Sequence, residues 1–230
     1  MKGASLSPYQ TFNLATHVGD DLIAVETNRQ LLNQQACLPG QPFWLDQQHT
    51  VEAVCLDSLD PNSWQPVVAD ASWTTQTNQV SVVMTADCMP LLVTNKKGSL
   101  VCSIHAGWRG LADGIVSRTI DSLPEKPENL LVWIGPCIRQ AHFEVGSDVY
   151  AIFCDKNPAN QTFFKPIQIE LSEQKYLADL AGLLVLELNN LGVSEVYDSG
   201  LCSYADSERF YSYRRYGVTG RMASLIWIEK

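Results

Sequence analysis

Thr85-Ala86-Asp87-Cys88-Met89-Pro90-Leu91-Leu92-Val93, followed by Ser103-Ile104-His105-Ala106-Gly107-Trp108-Arg109-Gly110, is the stretch that decides the fold. The Val-rich run Gln79 to Thr85 leads into it and reads as a strand. Pro90 to Thr94 reads as a second strand, closed by the turn Asn95-Lys96-Lys97-Gly98, and Ser99 to Ile104 as a third, so the two flanking runs make a hairpin. After Gly107 the period changes. Leu111, Ile115, Thr119 and Leu123 recur at steps of four and predict a helix, which Pro124 and Pro127 stop.

The same alternation continues outward. Leu130 to Ile134 predicts a short buried strand ended by Gly135-Pro136. Tyr176 to Leu191 predicts a helix with Leu177, Leu180, Leu184, Leu188 and Leu191 on one stripe and Gly192 behind it. Val193 to Tyr197 and Met222 to Ile228 predict strands. Asp57 to Asp70, with Pro61, Asn62, Ser63 and Pro66, is the most loop-like region. Hairpins mixed with strand–helix alternation argue for an α+β fold, a single domain over residues 1–230 with mixed β-sheets flanked by helices.

Composition narrows the function classes. The formal charge of −9 makes the chain a poor general binder of nucleic acid backbones, although a local basic spot can still hold a small phosphate. Seven cysteines at irregular spacing include no Cys-x-x-Cys pair, which excludes a zinc ribbon or thioredoxin motif and suggests buried thiols in a reducing compartment. No apolar run is long enough to span a bilayer and the first residues do not read as a signal peptide. The expectation is a soluble cytoplasmic protein with a small-molecule partner, no nucleic acid and no membrane; the oligomeric state is not legible.

Only four histidines exist, His17, His49, His105 and His142. Cys88 follows a strand, His105 ends one and His49 lies near the start of another, so the three can converge on one rim. Two imidazoles and a thiolate suit zinc with one position left open. Local spacing leaves other readings standing. Cys88 is also readable as a buried thiol, or as a nucleophile with His105 as base and Asp87 orienting it. With Met89 as an axial ligand, the set is that of a blue-copper site, but Met89 adjoins Cys88 and points to the opposite face of a strand.

Other residues carry candidate roles. Gly107-Trp108-Arg109-Gly110 sits where a strand gives way to a helix, a place where backbone amides and Arg109 can meet an anion. Arg214 and Arg215, beside aromatic residues, are candidates for an anionic or purine-like ligand. Glu144 precedes a predicted helix and, with Asp87, is a proton-transfer candidate.

Taken together, the segments from Thr85 to Pro90 and from His105 to Gly110, with Gly135-Pro136, Phe143-Glu144-Val145-Gly146 and Tyr213-Arg214-Arg215, resemble the YfiH-type or laccase-domain family. Its members have been described as polyphenol oxidases, purine nucleoside phosphorylases and peptidoglycan editing factors. The resemblance extends upstream to Asn13-Leu14, His17, Gly19-Asp20, Asn28-Arg29 and Trp44-Leu45-x-Gln47-x-His49, and so covers nearly the whole chain. It implies one metal, normally zinc, on His49, Cys88 and His105, with Cys88 also part of the catalytic set. It further implies phosphorolysis of adenosine, inosine and methylthioadenosine, and deamination of adenosine. A peptidoglycan editing hydrolase and a copper-dependent polyphenol oxidase are the alternatives it carries. Thr50 departs from the glycine common after the ligand histidine, and Cys137 stands where a small residue of varying identity is expected.

Overall fold

The computed structural model describes residues 2–59, 66–167 and 173–229. In chain order the elements are α1 (Leu22–Gln35), β1 (Pro42–Phe43), β2 (Ala53–Cys55), β3 (Ala71–Thr74), β4 (Val80–Thr85), β5 (Met89–Asn95), β6 (Val101–Ala106), α2 (Trp108–Asp113), α3 (Ile115–Ser122), β7 (Leu130–Ile134), β8 (Glu144–Gly146), α4 (Ser147–Cys154), β9 (Phe164–Ile167), β10 (Lys175–Ala178), α5 (Leu180–Asn190), β11 (Glu195–Asp198), α6 (Tyr213–Tyr216) and β12 (Met222–Ile226). The expected α+β class with mixed sheets holds. A six-stranded sheet runs β11-β7-β5-β6-β3-β2, with two three-stranded sheets, β1-β4-β12 and β8-β10-β9. Parallel and antiparallel pairs both occur in the large sheet.

Side-chain alternation along β5 and β6 separates two faces. Met89, Leu91, Val93, Cys102, Ile104 and Ala106 enter one apolar core with Leu111, Ile115 and Ile120 of α2 and α3. Ser103 and His105 take the other face, toward the β1-β4-β12 sheet. There the hydroxyls of Ser72, Ser81 and Ser103 form a buried chain, with oxygen separations of 2.7 and 2.6 Å around Ser81. Val80–Thr85 is buried on both faces, and a strand so placed is mostly apolar, here with Ser81 bonded within the hydroxyl chain.

Two predicted elements change. The helix expected after Gly107 is two helices, because Gly114 takes φ +93° between α2 and α3. That left-handed value suits glycine and ends the first helix. The helix expected over Tyr176–Leu191 begins only at Leu180, where Asp179 caps it by accepting from the Gly182 amide at 3.0 Å. Lys175–Ala178 is instead the central strand between β8 and β9, and Tyr176 stacks on Tyr150 at 4.3 Å. Pairing on both edges outweighs the helical spacing of Leu177. Helix α1 was not legible: Leu22 and Ile23 are 62% and 78% exposed, so its apolar residues make no continuous stripe. Pro61, Asn62 and Ser63 of the predicted loop lie outside the described residues. Among the described residues no helix is long and apolar enough to cross a membrane.

Candidate metal centre

Asp70 immediately precedes β3, the antiparallel neighbour of β6, and so stands opposite His105. Its backbone carbonyl accepts from the His105 amide at 2.7 Å, and its Oδ1 meets His105 Nδ1 at 2.7 Å. The same carboxylate gathers the loop that carries His49. It accepts from the amides of Gln48 at 3.3 Å, His49 at 3.2 Å and Thr50 at 2.6 Å, and from Thr50 Oγ1 at 2.8 Å. Asp70 is fully buried. Burial alone would raise its pKa, but His105 and the Thr50 donors hold it below the usual carboxylate value. Sequence reading missed this residue. Its signal was an acid set between Ala69 and Ala71, just before the short run Ala71-Ser72-Trp73-Thr74.

The anchored loop puts His49 at φ +59°, a left-handed backbone that an imidazole rarely takes. Cys88 arrives from the other side, where the step from β4 to β5 passes through Asp87 at φ +96°. Asp87 is 8% exposed, and its carboxylate is occupied by three donors: Ser203 Oγ at 2.7 Å, Ser212 Oγ at 3.0 Å and the Arg214 amide at 2.7 Å. Asp87 therefore ties the loops from Cys202 to Arg214 onto the strand step that presents Cys88.

One donor atom from each of His49, Cys88 and His105 lies within 4.8 Å of the others, and Cys88 Sγ is 3.7 Å from His49 Nε2. Tetrahedral zinc with ordinary bond lengths separates a sulfur and an imidazole nitrogen by about 3.5 Å. The Asp70 contact on Nδ1 leaves Nε2 of His105 as the free donor, the tautomer-fixing arrangement of metal-bound histidines. A methyl group at Gly107 would lie 2.7 Å from His49 Cδ2 and 3.0 Å from both Cys88 Sγ and His49 Nε2. Only a residue without a side chain fits at this position beside the donor atoms. The donor set, its spacing and this cradle fit a soft or borderline divalent metal.

Without a metal the site is strongly polarised. Burial would raise the Cys88 thiol, but His105 and His49 bring it down to about 6. Burial would lower His105, and the Cys88 thiolate with Asp70 lifts it instead. Thiolate is the ligating form of cysteine.

The other predicted residues have distinct places. Arg109 is exposed and lies 4.3 Å over the Trp108 ring. Arg214 is exposed, donates to the Glu144 carbonyl at 2.8 Å and lies over Phe143. Glu144 is exposed at the start of β8. Arg215 is occupied otherwise than expected, since its guanidinium donates to the carbonyls of Ser203, Tyr204 and Phe210 and holds the loop that also meets Asp87. Met89 is fully buried on the helix side of the sheet, away from His105. The cysteines are less uniformly buried than expected: Cys102, Cys137 and Cys154 are buried, Cys37 is exposed, and all seven are free.

Residues 1–229 match the family described as multi-copper polyphenol oxidoreductase laccase. The chain is 45% identical over 227 residues to a purine nucleoside phosphorylase of Haemophilus influenzae, covering 99% of this chain and 91% of that one. It is 40% identical over 226 residues to the purine nucleoside phosphorylase YfiH of Escherichia coli, covering 98% and 90%. Among solved structures, a Neisseria meningitidis protein superposes with a TM-score of 0.91 at 40% identity, covering 100% of this chain and 91% of that one. The protein YfiH of Bacillus licheniformis superposes at 0.88 with 25% identity, covering 99% and 89%.

Proposed function

We propose that this chain, which belongs to the family described as multi-copper polyphenol oxidoreductase laccase, is a zinc-dependent purine nucleoside phosphorylase acting on adenosine, inosine and methylthioadenosine, with adenosine deamination as a second activity of the same site. The reading treats residues 1–230 as one catalytic domain. The observation that carries it is the three-donor set His49, Cys88 and His105 around Gly107, taken with the purine nucleoside phosphorylase names of the full-length relatives.

Zinc suits two imidazoles and one thiolate with a fourth position open, and when bound it supplies a Lewis acid next to the substrate. The chain's own groups do the rest. Asp70 fixes the His105 ring and the backbone of the His49 loop. Asp87, bonded to Ser203, Ser212 and Arg214, positions Cys88 and the loop opposite it. In phosphorolysis a phosphate oxygen bonds to C1′ as the C1′–N9 bond breaks, and the departing purine takes up a proton. Arg109 and Arg214 remain exposed cations available to an anionic substrate, and Glu144 an exposed carboxylate available for proton transfer.

Copper redox chemistry is less well supported. Met89, the axial candidate, is buried on the opposite face of β5. Four histidines in the whole chain do not furnish several copper centres. The test is a panel of adenosine, inosine and methylthioadenosine with and without phosphate, on protein of measured metal content. Free base should appear only with phosphate, together with ribose 1-phosphate from adenosine and inosine and 5-methylthioribose 1-phosphate from methylthioadenosine. Base release that ignores phosphate would remove the phosphorylase reading, and turnover of a muropeptide precursor alone would replace it with the hydrolase alternative.

A further inference from the structure

Two arginines near the strand step that carries Cys88 make no ion pair with an acid among the described residues. Arg29 extends from α1 with its guanidinium 4.0 Å over the Trp44 ring, and its Nε donates to the Leu14 carbonyl at 2.9 Å. Arg221, just before β12, holds the same short segment from the other side. Its amide donates to Asn13 Oδ1 at 2.9 Å, and its carbonyl accepts from the Leu14 amide at 3.3 Å. Its Nη1 donates to the carbonyls of Thr219 at 2.9 Å and Gly220 at 3.1 Å, which aims the guanidinium and leaves Nη2 and Nε for an anion. His17 is exposed a few residues along that segment, and after partial burial the charges of Arg221 and Arg29 keep its pKa below the ordinary value.

Strand register brings this group to the site. Met222 pairs with Thr85, so Arg221 lies beside the step Ala86-Asp87-Cys88, and its charge is felt together with those of Cys88 and Asp87. Gln47, two residues before His49, clamps the amide and carbonyl of Met84 on the same strand at 2.7 and 2.9 Å. Trp44, under Arg29, opens that loop. Arg221 therefore borders the step that carries Cys88, and the Leu14 segment it shares with Arg29 brings the Arg29 guanidinium and the His17 ring close to it.

The charges are not neutralised by protein. Burial lowers both guanidiniums, Arg29 to about 10 with Glu26 offsetting part of it, so both remain charged at neutral pH. Among the described residues, ion pairs within 4.0 Å join only His105 to Asp70, Arg139 to Asp198 and Arg209 to Asp206. Asp46 faces His17 and Asp87 faces Arg221 at longer range, and the Asp87 oxygens are already bonded. Among the described residues the hydrogen bond of the Arg29 guanidinium is the one from Nε to the Leu14 carbonyl, which leaves its terminal nitrogens for a ligand. Partly buried guanidiniums that make no direct ion pair favour the approach of an anion. In a chain of charge −9 such a focus is a local exception.

We propose that Arg29, Arg221 and His17 form an oxyanion subsite that takes inorganic phosphate and delivers it beside the metal set. The assignment rests on the phosphorylase reading and adds residues to it. A guanidinium fork matches phosphate oxygens in a bidentate way, and the stacking on Trp44 holds one fork in place.

The test combines phosphate binding with kinetics. Phosphate is titrated into the nucleoside-free protein by calorimetry, and KM for phosphate and for inosine is measured separately. Arg29→Gln and Arg221→Gln should each raise the phosphate Kd and KM by about tenfold or more. Inosine KM and metal content should change less than about twofold by comparison. His17→Gln, at an exposed position, should raise phosphate KM by about threefold and keeps the test decisive if an arginine variant does not fold. Arg29→Lys should recover part of the loss. Folded variants with unchanged phosphate KM and Kd would overturn the subsite while leaving the phosphorylase reading intact. Phosphate binding that is lost in the variants, in a protein without phosphate-dependent turnover, would keep the subsite and remove the phosphorylase reading.

Discussion

Asp70 Oδ1 lies 2.7 Å from His105 Nδ1, and the two residues are also joined by a backbone hydrogen bond of 2.7 Å. One buried carboxylate thus sets the orientation of an imidazole and, through three amides, the loop that bears a second one. Asp70→Asn keeps the shape but weakens the contact to His105. Metal affinity should fall about 10–100-fold, read by competition with a chromophoric chelator. Unchanged affinity in the folded variant would deny Asp70 its positioning role.

Gly107→Ala tests the space between the donors. The added methyl meets His49 at 2.7 Å and Cys88 Sγ at 3.0 Å. The protein should fold, with a loss of stability of about 1–3 kcal/mol, but hold substoichiometric metal after dialysis. Full occupancy measured by elemental analysis would show that the three donors meet the metal elsewhere.

Asp87→Ala leaves the Ser203 and Ser212 hydroxyls and the Arg214 amide without their acceptor. Chemical denaturation should show a loss of about 2–4 kcal/mol, with Asp87→Asn losing about half as much. An Asp87→Ala protein of wild-type stability would show that the loops from Cys202 to Arg214 are held by other contacts.

Glu187 supplies a pH dependence outside the metal site. Burial raises its carboxyl from 4.5 to about 7, with the Ser117 backbone and Lys156 opposing. Its folded-state pKa thus lies above the unfolded one, so the folded chain binds the proton more tightly. The stability contribution is greatest at low pH and is lost as pH rises from 4.5 through about 7. Allowing for its remaining solvent contact, the change is about 1–2 kcal/mol. Denaturation across that window should show the slope in the wild type and its loss in Glu187→Gln. An identical slope in both would assign it to another group.

Much of this arrangement was legible in the sequence. The hairpin from Pro90 to Ile104 stands because two short apolar runs flank a turn ending in Gly98, which takes φ +65°. The period of two also placed Met89 on the face away from the metal set. Other parts were not legible, because they arise from pairing between distant segments. Leu177 fits a helical stripe, yet β8 and β9 claim it as a strand from both sides. Asp70 looked like the end of a loop, and its role exists only because β3 lies beside β6. Arg215 reads as a ligand contact and Asp87 as a proton-transfer group, and the pairing of distant segments adds a second task to each, the holding of the loops from Cys202 to Arg214. Arg29 and Arg221 are nearly 200 positions apart in the chain and meet through Asn13 and Leu14.

The most direct test of the central claim is inosine phosphorolysis by zinc-quantified wild-type protein beside Cys88→Ala, with folding of both checked by circular dichroism. The account predicts about one zinc per wild-type chain, hypoxanthine release that requires phosphate, and a fall in kcat/KM of at least about 100-fold when Cys88 is removed. Phosphate-dependent release at the wild-type rate from folded, zinc-free Cys88→Ala would contradict it.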